Sequence, residues 1–388
     1  MSDARDWAVR AADAVAGFTS TRSKGPDAMF GGPGGPTHVV RAHGTRVETA
    51  DGSTLLDWTM ALGAVGLGYG HPAVATAAAR AAADGAVGPL PPVLEVRVAE
   101  RLCAAYPGAE QARFFKTGAE GVAAAVRVAR AATGRTGVVS CGYHGWLDGP
   151  TVGAGVPVDV AAHWRAVPFD DPGALEAAVA LEAPAAIVLE PVIVHEPSAA
   201  WLVAARAAAD RVGAVLVFDE VKTAFRLARS GAAERYGVRP DLAVLGKALA
   251  NGFPLAALVG RADLMARLRQ TWVSSTLATE FVALAAADAV LDVWEQEDVA
   301  GHLERIGSRV LAGLDPMCRR SGVPLAGIPA MFFLRFDDAE RERRFLLAMV
   351  AQGILLKRGA YDFPSLAHTE ADADRTVAAV DCALRETA

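Results

Sequence analysis

The sequence is poor in the features that mark nucleic-acid, membrane and disulfide-built proteins. Lysine and arginine number 38 against 44 aspartates and glutamates, a formal net charge of −6, and no long basic run breaks the mixture. That balance excludes the basic footprint with which proteins hold nucleic acid or an anionic membrane. Only four cysteines occur, Cys103, Cys141, Cys318 and Cys382, far apart and without a C-x-x-C pair. Neither a disulfide framework nor a zinc knuckle is implied, and a reducing cytoplasm fits. No apolar run approaches the roughly 18 residues of a membrane span, and the first turns mix charges instead of forming a signal-like apolar core. The chain therefore reads as soluble and unprocessed. Histidines number 8 and are dispersed, so no metal centre is expected.

What remains is apolar. Hydrophobic residues make up 52% of the 388 and charged residues 21%, enough to bury a sizeable core and to exclude global disorder. Alanine is well above ordinary globular usage, which favours helices and says nothing about chemistry. The segment Gly25 to Pro36 is so rich in glycine and proline that it reads as a connector after an N-terminal helix.

From there to about residue 285, short apolar runs alternate with alanine-rich helical stretches. The runs are 112–116, 137–141, 185–190, 214–220, 242–246 and 256–260, with Val122 to Ala132 among the helical stretches between them. Runs of this length, apolar on both faces, are what a mostly parallel central sheet with helices on both faces requires, so the central unit is α/β. Beyond Trp294 the chain becomes more charged. Helices are expected at 295–320, 338–352 and 369–386, with a strand at 332–336, as in a smaller α+β domain. The resulting division is residues 1–45 as a segment joining the small domain and the substrate side, 46–290 as the large α/β domain, and 291–388 as the small one.

Three generic signals fail. Gly66 to Gly70 lacks the preceding strand and following acidic residue of a dinucleotide fingerprint, Gly246-Lys247-Ala248 lacks the rest of a Walker loop, and His195-Glu196 lacks a second zinc-binding histidine.

Four other features fall at the ends of expected strands, where open α/β sheets place ligands. Thr117-Gly118-Ala119-Glu120-Gly121 opens a helix with small residues, as a phosphate cradle does and as many ordinary turns do. Tyr143, His144 and Trp146 follow the next strand among glycines; a ring so placed can lie on a planar ligand or simply half-bury itself. Asp219 ends an apolar strand, where its carboxylate needs a positive partner or caps a helix. Lys247 follows another apolar strand, in surroundings that lower an amine's pKa and make it a nucleophile. Together, an amine for a Schiff base, a carboxylate for a ring nitrogen, a stacking ring and a phosphate cradle are what pyridoxal 5′-phosphate requires.

These residues resemble the class III aminotransferases of PLP fold type I, most closely the branch of glutamate-1-semialdehyde aminomutase. The resemblance is carried by Phe218-Asp219-Glu220-Val221-Lys222-Thr223-Ala224-Phe225-Arg226, by Gly231 to Leu242 and by Leu245-Gly246-Lys247, and it extends from Gly44 to Thr369. It implies that Lys247 forms the Schiff base and shuttles a proton, that Asp219 pairs with the pyridine nitrogen, and that Tyr143 and Val221 flank the ring. Thr117, Gly118 and Ala119 would hold the phosphate, with Ser275 and Thr276 reaching it from the second subunit of a homodimer that shares its active sites. His144 and Glu190 match positions near the cofactor.

Departures stand beside the matches. The phosphate turn lacks one hydroxyl, Leu277 to Glu280 replaces the usual sequence after the interface threonine, Lys222 replaces a neutral residue and Ala224 a glycine. Either of the last two could reshape the pocket. On the substrate side the resemblance points to Arg22, Lys357 and Arg358 as grips for an anion, although each is equally a solvated cation. Trp58, Met60 and Trp146 are candidates for an apolar acceptor, although such residues are more often packing. The expectation is a PLP-dependent aminotransferase that uses a small-molecule amino donor and a carbonyl acceptor of specialised biosynthetic kind. The alternatives are an intramolecular 2,1-aminomutase or other PLP isomerase, and a catalytically silent relative.

Overall fold

Short apolar runs separated by helix-forming sequence pair side by side because only a sheet satisfies their backbone groups when both faces are buried. The fold is seen in a computed structural model that describes residues 4–151, 153–359 and 361–387. Its strands are β1 (Val39–His43), β2 (Arg46–Thr49), β3 (Thr54–Asp57), β4 (Gln111–Phe115), β5 (Val138–Cys141), β6 (Trp164–Ala166) and β7 (Ala186–Leu189). They continue with β8 (Val215–Asp219), β9 (Leu242–Leu245), β10 (Ala256–Gly260), β11 (Leu325–Ile328), β12 (Met331–Leu334) and β13 (Ile354–Leu355).

The chain divides into two compact units, Pro72–Ala300 and the combination of Met1–His71 with Gly301–Ala388. The larger unit carries a seven-stranded sheet in the order β4-β10-β9-β8-β7-β5-β6. Pairs β9/β8, β8/β7, β7/β5 and β5/β6 are parallel, and β10 is antiparallel to both of its neighbours. Two reversals restore the direction of β4, so the strand before Thr117 ends on the same side as those before Gly142, Glu190, Glu220 and Gly246.

Alternate residues of the central strands enter one apolar cluster with the helix Gly118–Thr133: Ala186 and Val188, Val215 and Val217, Leu242 and Val244, Ala256 and Leu258. The intervening Ile187, Leu189, Leu216, Phe218, Ala243 and Leu245 are just as buried, so the sheet is covered on both faces. This is the expected α/β arrangement, with β6 added at one edge, where Trp164 and Arg165 gave too little apolar pattern to read as a strand.

The smaller unit holds an antiparallel meander β1-β2-β3 closed by β13, which pairs in parallel with β3. That pairing draws residues 46–71 into the unit formed with the C-terminal segment, whereas the sequence reading placed its boundaries at 45/46 and 290/291. Backbone hydrogen bonding across more than two hundred residues carries no local signature. The segment read as an irregular connector contains a short helix, Pro26–Phe30, because proline at its first turn is compatible with helix and Gly31 ends it at φ 77°. The helices Val299–Ser321, Ala339–Ala351 and Glu370–Glu386 and the hairpin β11/β12 match the α+β reading of the C-terminal region.

Close approach of helix and sheet in the larger unit depends on Gly121. A Cβ there would stand 2.6 Å from Cγ1 of Val244 on β9. Gly121→Ala should therefore destabilise the protein by about 1–3 kcal/mol through overpacking. Urea denaturation of the variant would show it as a lowered midpoint, and an unchanged midpoint would contradict this account of the contact.

Candidate active site

The turn after β4 becomes a helix start through reciprocal capping. Glu120 N donates to Thr117 Oγ1 at 3.2 Å while Glu120 Oε2 accepts from the backbone N–H of Thr117 at 2.8 Å and of Lys116 at 3.0 Å. The first N–H groups of such a helix have no intrahelical acceptor, so Gly118 and Ala119 present amides and the positive end of a 16-residue helix dipole. A Cβ on Gly118 would lie 2.7 Å from Cγ2 of Val221, so the phosphate-like cradle and the loop after β8 touch directly.

The loop after β5 is pressed onto the same helix start. Gly145, at φ 97°, would place a Cβ 2.4 Å from that of Ala119, a fit open only to glycine. The next residue back in this loop, His144, is 3% exposed, and its Nδ1 donates to Oδ2 of Asp219 at 2.9 Å. The second oxygen of Asp219 accepts the backbone N–H of Val221 at 3.2 Å. Asp219, 5% exposed at the end of β8, is thereby aimed by two donors on different loops. The other ring nitrogen of His144 is buried without a hydrogen-bond partner in the structure. Tyr143 and Trp146, by contrast, stand 68% and 73% exposed.

Lys247 opens a short 3-10 turn after β9, its backbone strained into the left-handed region at φ 46°. Burial pulls its amine pKa down to about 8, the positive charge of Lys222 adds to that, Glu190 and Asp219 oppose it, and Arg226 lowers it further. Glu190, at the end of β7, pairs with Lys222 at 2.6 Å and accepts the backbone N–H of Tyr143 at 3.1 Å. Glu220, the residue after Asp219, turns away into its own cluster. It accepts N–H groups of Ala232 and Ala233 at 2.9 Å each and the hydroxyls of Thr223 and Tyr106, and burial raises its pKa to about 7.

Thr117, Gly118, Ala119, Tyr143, His144, Glu190, Asp219, Val221 and Lys247 thus meet at one end of the large sheet. Ser275 and Thr276 lie exposed on a loop after Trp272. The substrate-side candidates fare differently. Trp58 is fully buried: its ring stacks on His368 at 4.1 Å, meets Phe332 edge-on and donates from Nε1 to Thr376 Oγ1 at 2.9 Å. It is core of the smaller unit, with no face left for a ligand. Met60 is also wholly buried. Lys357 Nζ donates to the carbonyls of Ala28 and Arg358, and Arg358 pairs with Glu342 at 2.9 Å, so both cations brace the short helix at 26–30 and the segment after β13. Arg22 is exposed. Sequence reading missed the partnership of Lys222 with Glu190; the signal was a lysine inside an apolar, small-residue run, seen only as a departure.

The class-III aminotransferase family model matches residues 32–156 and 159–384. The chain is 35% identical over 395 residues to the glutamate-1-semialdehyde 2,1-aminomutase of Laribacter hongkongensis, covering 91% of this chain and 93% of that protein. Among solved structures it is similar to the FumI protein of Sphingopyxis sp. MTA144 in its PLP internal aldimine form, at 27% identity, TM-score 0.92, and 100% and 96% coverage. It is similar also to a β-phenylalanine aminotransferase of Variovorax paradoxus, at 27% identity, TM-score 0.87, and 98% and 93% coverage. A chain matched from β1 to the last helix by one family model, with this set of side chains at its strand ends, belongs to the class-III aminotransferases. It is an enzyme of that family, and its cofactor is pyridoxal 5′-phosphate.

The residues present fit that group. A bare helix start can receive a phosphate, a buried and doubly directed carboxylate can hold a protonated ring nitrogen, and an amine of lowered basicity can condense with an aldehyde. In the cofactor-free protein the Lys247 amine should titrate with a midpoint near pH 8, above which it is mostly uncharged, while surface lysines titrate near 10.4. Competitive acetylation read by mass spectrometry measures this, and a midpoint above 10 would refute the burial argument.

Proposed function

We propose that the enzyme moves an amino group from a small-molecule amino donor to a carbonyl acceptor, with Lys247 as the residue joined to the cofactor and Asp219 as the partner of its ring nitrogen. The observation that carries this reading is a lysine at the exit of β9 next to the exit of the parallel strand β8, whose carboxylate is fixed by His144 and Val221. When bound, pyridoxal 5′-phosphate supplies an aldehyde that condenses with amines and an electron-poor ring that accepts the electron pair left on a neighbouring carbon.

The protein's own residues do the rest. Asp219 would keep a proton on the ring nitrogen, and its orientation is held by the N–H donors of His144 and Val221 rather than by solvent. Lys247 would take up and return the migrating proton at Nζ, which requires that it be uncharged when it acts. Gly118 and Ala119 would bind the phosphate through backbone amides, Thr117 supports them through its cap with Glu120, and Tyr143 and Val221 would bracket the ring. Ser275 and Thr276, exposed on their loop, suit a contribution to a second protomer's site in a homodimer. All four cysteines are free, in keeping with work in a reducing cytoplasm. Among the described residues no helix is long and apolar enough to cross a membrane.

A second reading, an intramolecular 2,1-aminomutase, is favoured by the names of curated relatives 35% identical over 91% of this chain.

The deciding experiment adds pyridoxal 5′-phosphate and then a panel of amino donors to the purified protein. Aminotransfer releases a stoichiometric keto acid as the visible band bleaches; a mutase rearranges one substrate and releases none. Lys247→Ala should lose both the borohydride-fixable link to the cofactor and turnover, and undiminished turnover would sink the mechanism. Asp219→Asn should retain the fold and lose about 10²–10³-fold in rate, on the scale of removing one preorganised electrostatic contact.

A further inference from the structure

Lys222 sets a charge among buried residues. It lies three positions beyond Asp219, is 9% exposed, and brings Nζ to 2.6 Å from Oε2 of Glu190, itself 9% exposed. An ammonium and a carboxylate taken out of water together lose hydration that their attraction recovers only with good geometry and further hydrogen bonds. Glu190 has those: its other oxygen accepts the backbone N–H of Tyr143 at 3.1 Å. It also has little room to move, since a Cβ on Gly142 would stand 2.8 Å from the Cβ of Glu190. A continuous polar path therefore runs from the loop after β8, through the end of β7, to the loop after β5.

The segment that carries Lys222 packs on the turn that carries Lys247, since a Cβ on Gly246 would stand 3.4 Å from Cγ1 of Val221. The charged groups acting on that amine are Lys222 and Arg226 from the segment after β8, Asp219 at the end of β8 and Glu190 at the end of β7. His144 stands behind Asp219. Two of the four are cations and two are anions, so the loss of one member leaves a net charge around the amine.

We propose that Lys222 is a positioning residue of this site: paired with Glu190 it fixes that carboxylate beneath the Tyr143 backbone, and it sets a buried positive charge beside the turn that carries Lys247. The inference rests on the reading of Lys247 as the amine joined to the cofactor.

The test is a pH titration of the visible absorption band of the holoenzyme in wild type, Lys222→Met, Lys222→Arg and Glu190→Gln. Removing the cation leaves the Glu190 carboxylate without its partner, so Lys222→Met should raise the midpoint by about one pH unit. Glu190→Gln should lower it, and Lys222→Arg, which restores the charge, should return it close to wild type. Competitive acetylation of Lys247 in the cofactor-free proteins should give the same order, so a variant that holds cofactor poorly is still measured. Midpoints unmoved in both single-charge variants, or displaced in the same direction, would overturn the inference, because a purely structural pair has no reason to give opposite signs. Cofactor fixed by borohydride to a residue other than Lys247 would overturn the reading of Lys247 and this inference with it; fixation to Lys247 together with an unmoved Lys222→Met midpoint would overturn the inference alone.

Discussion

A strand has a direction, and this site exists because β5, β7, β8 and β9 share one. Parallel pairing sends every chain exit to the same side of the sheet, where loops that are distant in sequence must crowd together. His144, Glu190, Asp219 and Lys247 are each within a few residues of such an exit. Even the antiparallel β10 serves this geometry, because it reverses the sense once before β4 reverses it again. The helix start at Gly118 is thereby delivered to the same edge as the acidic and basic side chains.

Crowding charges at a buried edge creates an electrostatic problem that the fold solves by pairing. Asp219 has His144 and a backbone amide, Glu190 has Lys222 and a backbone amide, and Glu220 is satisfied by Thr223, Tyr106 and two amides. Each carboxylate has its own set of donors, so neighbouring carboxylates do not compete for one cation. Lys247 differs in having no such dedicated carboxylate among the described residues, and burial prevails there over the attraction of Glu190 and Asp219. The amine is the group without a partner of its own in a neighbourhood where the acids are paired.

The large sheet was legible in the sequence because strands buried on both faces announce themselves as apolar runs, and the runs ending at Phe115, Cys141, Leu189, Asp219, Leu245 and Gly260 are strands within a residue or two. The residues at their ends were legible for the same reason: a charge directly after an apolar run is conspicuous. The smaller unit was harder to read. β2 and β3 earn their place by pairing with β1 and with β13, a partner at residues 354–355, and nothing near residue 50 encodes that distance. Trp58 shows the complementary limit. An aromatic in a loop-like stretch reads as a ligand contact or, more often, as packing, and only the presence of His368 and Thr376, some three hundred positions on, decides for packing. Lys222 was visible as an anomaly, but its partner Glu190 sits on a different strand, so the pair could not be seen in either segment by itself.

The backbone of Lys247 adds a final consideration. At φ 46° the residue occupies a region that costs an L-amino acid roughly 1–2 kcal/mol and a glycine almost nothing. Local conformational preference at this position therefore opposes lysine. A glycine in its place would relax the turn at the loss of an amine, so on the proposed role of Lys247 durability and chemistry are set against each other at a single residue, and any programme that selects this protein for thermal endurance alone would be drawn toward losing that amine.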